Sequence, residues 1–430
     1  MAGQEPPKEF HEKYDWIESV EYLERYDNGG FHPVMIGDVV NKRYQIVDKL
    51  GYGGYSTVWM TRDMQQNTYV ALKIGVADSR VHETTILKRL VDAAPQIPAN
   101  PAALVGLNAI PRVLDAFTVR GPNGEHPSYT TSLAGTNLRY ACDLSMFRLE
   151  VARALAVKLV SAIAYMHSRG YAHGDIHLGN VMLRLPPQID ELSVEQLYQK
   201  YGHPETVPVS RVDGGPLPPS IPPEAVRSVN LGKKANEISL GETDLLLIDC
   251  GESFAPKLST RPCEDCRSHL AARPPESHFE PLSPLSFSAD IWCLGLAIWN
   301  LFAIRPLFAA AFSPPAAIIA QHVDALGPLP SGWWSRWKER LDYFDENGNS
   351  IQGEYGGPTL NKAFDDWLHK YRLKFQVGSF SEEEKTAFLQ LLRRMLSYDP
   401  LQRPTADEVL KSGWIANWAM DDFEKSCRVV

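Results

Sequence analysis

The sequence predicts an α+β protein of two lobes, a small antiparallel sheet followed by a larger, mainly helical region. Three observations carry that prediction. Alternating apolar segments surround a glycine cluster between Tyr44 and Ile74, a helical pattern runs unbroken from Glu150 to Arg169, and a strongly apolar stretch spans Ala289 to Phe302.

Tyr44 to Leu50 alternates as a half-buried strand does. Tyr55 to Met60 and Thr68 to Ile74 read as two more strands, joined by the polar turn Asp63 to Asn67, so the three predict an antiparallel sheet. Glu150 to Arg169 has neither Gly nor Pro. Its apolar pairs Val151/Ala152, Leu155/Ala156, Leu159/Val160 and Ile163/Ala164 mark one helix face, with Gly170 as the stop. Pro186 to about Gly241 is rich in proline, as in Pro216-Leu-Pro-Pro-Ser-Ile-Pro-Pro223, and reads as an insertion loop of the larger lobe, too polar and broken to pack alone. Ala289 to Phe302, apolar around most of its circumference, predicts a helix at the centre of that lobe. Ser381-Glu-Glu-Glu384 predicts a capping box opening a helix to about Tyr398, with Leu389, Leu392 and Leu396 at helical spacing. The resulting plan is an N-terminal extension at 1–43, a small lobe at 44–135, a large lobe at 136–417 interrupted at about 186–241, and a tail at 418–430.

The composition excludes several classes. With 44% hydrophobic and 22% charged residues, the chain is folded and globular. Its net charge of −9 argues against direct nucleic-acid binding, which depends on clustered Lys and Arg, and suits basic protein partners better. The longest apolar run, Ile291 to Ile304, is interrupted by Gly295 and Asn300 and is shorter than the roughly 18 to 20 residues a bilayer requires, so no membrane segment is expected. The first residues lack a basic and apolar leader, and Cys142, Cys250, Cys263, Cys266, Cys293 and Cys427 are scattered, which together predict a reducing, intracellular setting. That setting is the cytoplasm, with nuclear entry open; the basic pair Lys233-Lys234 is short for an import signal.

The chemistry concentrates in four places. Gly51-Tyr-Gly-Gly54-Tyr-Ser56-Thr-Val58, between two predicted strands, lets backbone N–H groups approach a polyphosphate. Lys73 ends the apolar strand Val70-Ala71-Leu72-Lys73, where a buried ammonium requires an anion, and Glu83 on the amphipathic stretch 83–90 is its candidate partner. Directly after the long helix, His173-Gly174-Asp175-Ile-His177-Leu-Gly-Asn180 places a carboxylate and an amide five residues apart in a loop, suited to orienting a hydroxyl and binding magnesium. Leu245-Leu-Leu-Ile-Asp249-Cys-Gly251 delivers a further carboxylate at the end of a buried strand.

Together these residues resemble the eukaryotic protein kinase superfamily from about Tyr44 to Trp414. The resemblance implies a protein-kinase-like fold and MgATP bound between its lobes. ATP-binding positions would be Leu50, Gly51, Tyr52, Gly53, Gly54, Tyr55, Ser56, Thr57, Val58, Ala71, Lys73 and Glu83. It further implies Asn180 and Asp249 as magnesium ligands, and Asp175, Lys73, His177 and Asn180 as the catalytic set. Glu276, in Arg273-Pro-Pro-Glu276, would close the activation segment and pair with Arg403, while Asp290 would hold the catalytic loop's backbone. Within the superfamily the chain is similar to the SR-protein kinases, through Gly29-Gly-Phe-His-Pro-Val-Met-Ile-Gly-Asp38, Tyr55-Ser-Thr-Val-Trp59, Asp249-Cys-Gly-Glu-Ser-Phe254 and the position of the insertion. That similarity implies serine/threonine phosphorylation of arginine/serine-rich proteins.

Four positions depart from the commonest kinase pattern. Gly174 replaces an arginine, His177 a lysine, Cys250 a phenylalanine and Ser56 the third glycine. Losing the arginine removes the usual anchor of a phosphorylated activation loop and predicts activity independent of such phosphorylation. Imidazole in place of lysine predicts slow turnover. Two other readings stand beside the kinase. The loop 173–180 also resembles that of aminoglycoside and choline phosphotransferases, and the unusual hinge Tyr129 to Gly135 fits a pseudokinase scaffold. Cys263 and Cys266 stand at zinc-ligand spacing without a second pair, and Asp345 to Asn349 reads as a turn.

Overall fold

Residues 13–79, 82–92, 101–309, 314–351 and 357–428 are described by the computed structural model. The chain divides into two units. The small unit comprises Met1–Lys88, Pro111–Gly135 and Arg184–Leu231; the large unit comprises Arg89–Ile110, Thr136–Leu183 and Gly232–Val430.

The small unit is built on a six-stranded antiparallel sheet: β1 (Val39–Val40), β2 (Tyr44–Gly53), β3 (Ser56–Asp63), β4 (Thr68–Gly75), β5 (Asp115–Gly121) and β6 (Gly124–Ser132), in the order β1-β2-β3-β4-β6-β5. Strand alternation sends successive residues to opposite faces, and here both faces are buried. Ile46, Trp59, Val70, Leu72 and Ile74 pack on one side with Val34 and Tyr44. Val47, Met60 and Tyr69 pack on the other, against Ile189, Leu197 and Leu231.

Those last three residues belong to the insertion, which therefore corrects the expectation of a loop in the larger lobe. Its residues 186–231 join the small unit, where they cover the second sheet face, and 232–241 stay with the large unit. It carries a capped helix, Val194–Tyr201, with a complete Ser193/Gln196 capping box, and a two-stranded ribbon, Thr206–Pro208 with Glu224–Val226. Hydrogen bonds from the Tyr69 amide to Asp190 Oδ1 (2.7 Å) and from the Tyr198 hydroxyl to the Val47 carbonyl (2.8 Å) stitch it to the sheet. The prolines limit regular structure without preventing packing: Ile221 and Ala225 are buried with Val209 against the N-terminal segment.

That segment, the N-terminal extension, buries Tyr14, Ile17, Val20, Leu23 and Tyr26. Every third residue faces inward, the period of polyproline II and 3₁₀ backbone, which neither a helical nor a strand template detects. Residues 1–12 of the extension lie outside the described residues.

In the large unit, the helix Leu149–Ser168 is buried along most of its length and ends at Gly170, whose φ is +85°. The second apolar helix runs Phe287–Phe302. Ser381 caps the helix Glu382–Met395, accepting from the Glu384 amide at 3.2 Å. The expected capping box is only half formed, because the Glu384 carboxylate instead takes a bidentate pair from Arg153 (2.9 and 2.6 Å). The predicted tail packs as the helix Met420–Arg428, with Phe423 buried and Asp422 3.0 Å from Arg153. Among the described residues no helix is long and apolar enough to cross a membrane.

His322, on the helix Pro315–Leu326, is 2% exposed between Trp292 and Phe308, and neither ring nitrogen has a partner among the described residues. Burial lowers its pKa from 6.5 to about 3. Between those values the unfolded chain binds the proton and the folded chain does not, so stability is fully present above pH 6.5 and falls as pH drops toward 3. At pH 5 the loss from this group is about 2 kcal/mol. His322→Leu is expected to flatten the acid limb of a stability–pH curve measured by urea unfolding; an unchanged limb would refute the assignment.

Candidate active site

In the small unit, β2 and β3 form a hairpin whose partners are Gly51 with Val58, Tyr52 with Thr57 and Gly53 with Ser56, turning at Gly54 and Tyr55. Neither Gly51 nor Gly53 has positive φ, and a Cβ built on either meets nothing within 4 Å. Backbone conformation and packing would both admit a side chain there. The glycines leave that space open to the approach of backbone N–H groups. Lys73 sits on β4 opposite Val58, and its Nζ lies 2.8 Å from Glu83 Oε2. The hydrogen-bonded pair is partly buried, which fixes the ammonium's position. Leu50 packs against the buried cluster beneath the hairpin, as does Ala71.

In the large unit the loop 173–180 is held from below by Asp290. Its Oδ2 accepts from the His173 amide (2.7 Å) and its Oδ1 from the Gly174 amide (2.9 Å), while His167 Nε2 lies 2.9 Å from Oδ2. Burial alone would raise the Asp290 carboxyl, but the bonds with His167 and Gly174 outweigh it and hold the group below the usual range. Capping of its helix falls to Ser286, whose hydroxyl accepts from the Ser288 amide, so Asp290 is committed to the loop.

His177 Nδ1 accepts from the Gly179 amide at 3.0 Å, which leaves the ring proton on Nε2, 3.4 Å from Asp175 Oδ2. Asn180 Nδ2 donates to the Asp175 carbonyl at 2.9 Å and lies 3.4 Å from Oδ2. One carboxylate oxygen of Asp175 is thus flanked by two donors. The other, Oδ1, is buried and has no partner among the described residues.

The strand Leu245–Leu247 pairs antiparallel with Val181–Arg184, and the Ile248 amide donates to the Asn180 carbonyl at 2.9 Å. Asp249 follows directly, in the left-handed region at φ +62°, so the chain turns sharply where the carboxylate begins. The two sequence-predicted metal ligands, Asn180 and Asp249, therefore leave adjacent, hydrogen-bonded backbones.

Beyond Asp249 the chain is fastened to the loop 173–180 by backbone and side-chain hydrogen bonds. Ala172 and Phe254 exchange two backbone bonds (2.8 and 3.1 Å), Ser253 Oγ donates to the His173 carbonyl (3.1 Å), and Ser268 Oγ donates to the Gly174 carbonyl (3.2 Å). Arg261 holds Glu252 through both its carboxylate (2.6 Å) and its carbonyl (2.9 Å). Gly174 explains its own identity: at φ +83° a Cβ would stand 2.5 Å from the Glu252 carbonyl oxygen. Gly174→Ala is expected to cost about 2 to 3 kcal/mol from the strained backbone and the displaced carbonyl. Chemical denaturation would show it; a loss below about 0.5 kcal/mol would contradict the close approach.

Glu276 and Arg403 form a bidentate pair, 2.7 Å at each arm, with side-chain exposures of 6% and 0%. Cys263 and Cys266 are buried, and no cluster of three or more His, Cys, Asp or Glu suited to a metal occurs among the described residues. Asp345 accepts from the Asn347 and Asn349 amides, closing the predicted turn. Sequence reasoning missed His167 and Ser253, whose contacts with Asp290 and the loop leave no signal in spacing.

No protein-family profile matches the chain. A serine/threonine protein kinase of Aspergillus fumigatus is 26% identical over 407 residues, 92% of this chain and 90% of its own length. The serine/threonine-protein kinase SRPK of Physarum polycephalum is 23% identical over 420 residues, 92% and 91% of the two chains. SRSF protein kinase 3 of Homo sapiens is 31% identical over 167 residues, 37% of this chain and 28% of its own. A crystal structure of a kinase domain aligns with a TM-score of 0.55 at 17% identity, over 90% of this chain and 98% of that one. By fold and by these relatives the chain is similar to serine/threonine protein kinases. Within that class the chain resembles the SR-protein kinases.

Proposed function

We propose that this chain transfers the γ-phosphate of MgATP to serine or threonine hydroxyls of arginine/serine-rich protein segments inside the cell. The observation that carries the reading is Asp175: one carboxylate oxygen is fixed by His177 and Asn180, and the other, Oδ1, is buried without a partner. A buried carboxylate oxygen left unpaired is costly, and an incoming hydroxyl would satisfy it.

The hairpin glycines and Lys73 hold the nucleotide's phosphates, Lys73 being oriented by Glu83. Asn180 and Asp249 are the residues that would hold magnesium, which when bound supplies charge neutralisation at the phosphates. Asp175 orients the substrate hydroxyl for in-line attack. His177 contributes by directing its Nε2 proton at Asp175, in addition to the phosphate-supporting role expected from its place in the motif. The net charge of −9 favours arginine-rich acceptors. The contacts of Ser253, Ser268 and Arg261 support activity without phosphorylation of the activation segment.

The test is transfer of labelled γ-phosphate from MgATP to an arginine/serine-rich peptide, a general basic protein and a panel of small hydroxyl compounds. Transfer to the peptide supports the reading, and transfer to the small compounds alone would replace it with a small-molecule phosphotransferase. MgATP binding without transfer to any acceptor would make the chain a scaffold.

A further inference from the structure

We propose that Arg25 is a positioning residue for nucleotide binding, the end of an N-terminal brace that sets the glycine hairpin in its phosphate-accepting shape. The inference rests on the nucleotide reading of the hairpin given above and adds a residue that no kinase motif contains.

The brace touches the hairpin at its tip and at its base. At the tip, Arg25 Nη1 donates to the Gly54 carbonyl, and the guanidinium lies over the rings of Phe31 (5.0 Å) and Tyr55 (5.8 Å). Tyr55 itself is 74% exposed and its carbonyl accepts from the Val76 amide at 3.0 Å, so Arg25 adds a side-chain restraint to a backbone one. At the base, Lys49 precedes Leu50 and Gly51, and its ammonium is buried in a salt bridge with Glu21. Glu21 also accepts from the Tyr26 hydroxyl at 2.5 Å, which ties the two contacts into one unit spanning residues 21–26.

The brace is anchored independently of the hairpin. The Phe31 amide donates to the Arg25 carbonyl (2.8 Å), the Gly29 amide to the Asn123 carbonyl (2.8 Å), and the Ala77 amide to the Gly30 carbonyl (3.0 Å). Tyr14, Ile17, Val20, Leu23, Tyr26 and Phe31 are buried beneath it. Glycine backbone has the widest conformational freedom, and a Cβ at Gly51 or Gly53 would meet nothing within 4 Å to limit it. A planar, doubly stacked guanidinium on the Gly54 carbonyl removes that freedom before any nucleotide arrives, so less ordering entropy is lost on binding.

The experiment uses the full chain with Arg25→Ala and Arg25→Lys. Amide hydrogen exchange across 51–58 is measured without nucleotide, and MgATP affinity by direct titration. For Arg25→Ala we expect exchange at the hairpin about fivefold faster or more. Kd and KM for MgATP should rise about three- to tenfold with kcat within about twofold. The melting temperature should stay within about 2 °C. Arg25→Lys, which keeps a donor but not the planar stack, should fall between. Unchanged exchange at the hairpin, or faster exchange with unchanged MgATP affinity, overturns the proposal. A loss confined to kcat overturns it as well. If the parent chain binds no MgATP, the nucleotide reading fails on that result alone and the positioning role falls with it, while the exchange measurement still decides whether the brace exists.

Discussion

Asp175→Ala is expected to lower kcat for phosphate transfer by about 10²- to 10⁴-fold while leaving MgATP affinity within about twofold. The split follows from geometry. Among the described residues the hydrogen-bond and ion-pair partners of Asp175 are His177, Asn180 and its own loop. Removing the carboxylate would take away the group proposed to align the acceptor hydroxyl and leave the proposed phosphate-binding groups unchanged. Asp175→Asn sharpens the measurement, because it preserves shape while losing the charge and placing an amide where His177 and Asn180 both donate. It should be as impaired as the alanine variant. Steady-state kinetics with labelled MgATP, beside a direct binding titration, gives both quantities. Retention of more than about a tenth of kcat in either variant would remove Asp175 from the catalytic role.

Arg403→Met is expected to destabilise the chain by about 3 to 5 kcal/mol, the largest loss of any single change considered, because it strands the Glu276 carboxylate in the interior. The pair is bidentate and almost wholly excluded from water. Arg403 also donates to the Ser397 (2.9 Å) and Ser288 (3.0 Å) carbonyls and stacks 5.0 Å from the Trp292 ring. Glu276→Leu combined with Arg403→Met removes both charges and should recover a large part of the loss, leaving the cost of the two undonated carbonyls. Urea unfolding of the two single variants and the double variant forms the cycle. Additive single losses, with no recovery in the double, would show that the two side chains contribute separately and not as a pair.

The contrast between these residues and Arg25 shows where a sequence is legible. Lys73, Asp175, Asn180 and Asp249 announce themselves because polar groups stand at fixed offsets inside or beside apolar strands, and that arrangement is costly unless chemistry uses it. Glu276 and Arg403 lie 127 positions apart, and only their resemblance to known motifs links them before the coordinates do. Glu21, Arg25 and Lys49 carry no such pattern. A surface glutamate or arginine in an irregular segment looks like a solvated charge until the chain folds back over it. The insertion misled for a related reason: its prolines argue against regular elements, yet Ile189, Leu197 and Leu231 are enough to cover a sheet face.

Local periodicity and spacing determined by themselves the antiparallel sheet, the two buried helices, the glycine hairpin and the polar groups of the catalytic loop, since each depends on residues within one or two dozen positions of one another. Tertiary structure alone decided which unit the insertion joins, why Gly174 can have no side chain, which oxygen of Asp175 stays unsatisfied and which residue steadies the hairpin. Each of those depends on groups brought together from distant parts of the chain, and burial and hydrogen-bond satisfaction act on that neighbourhood rather than on sequence separation.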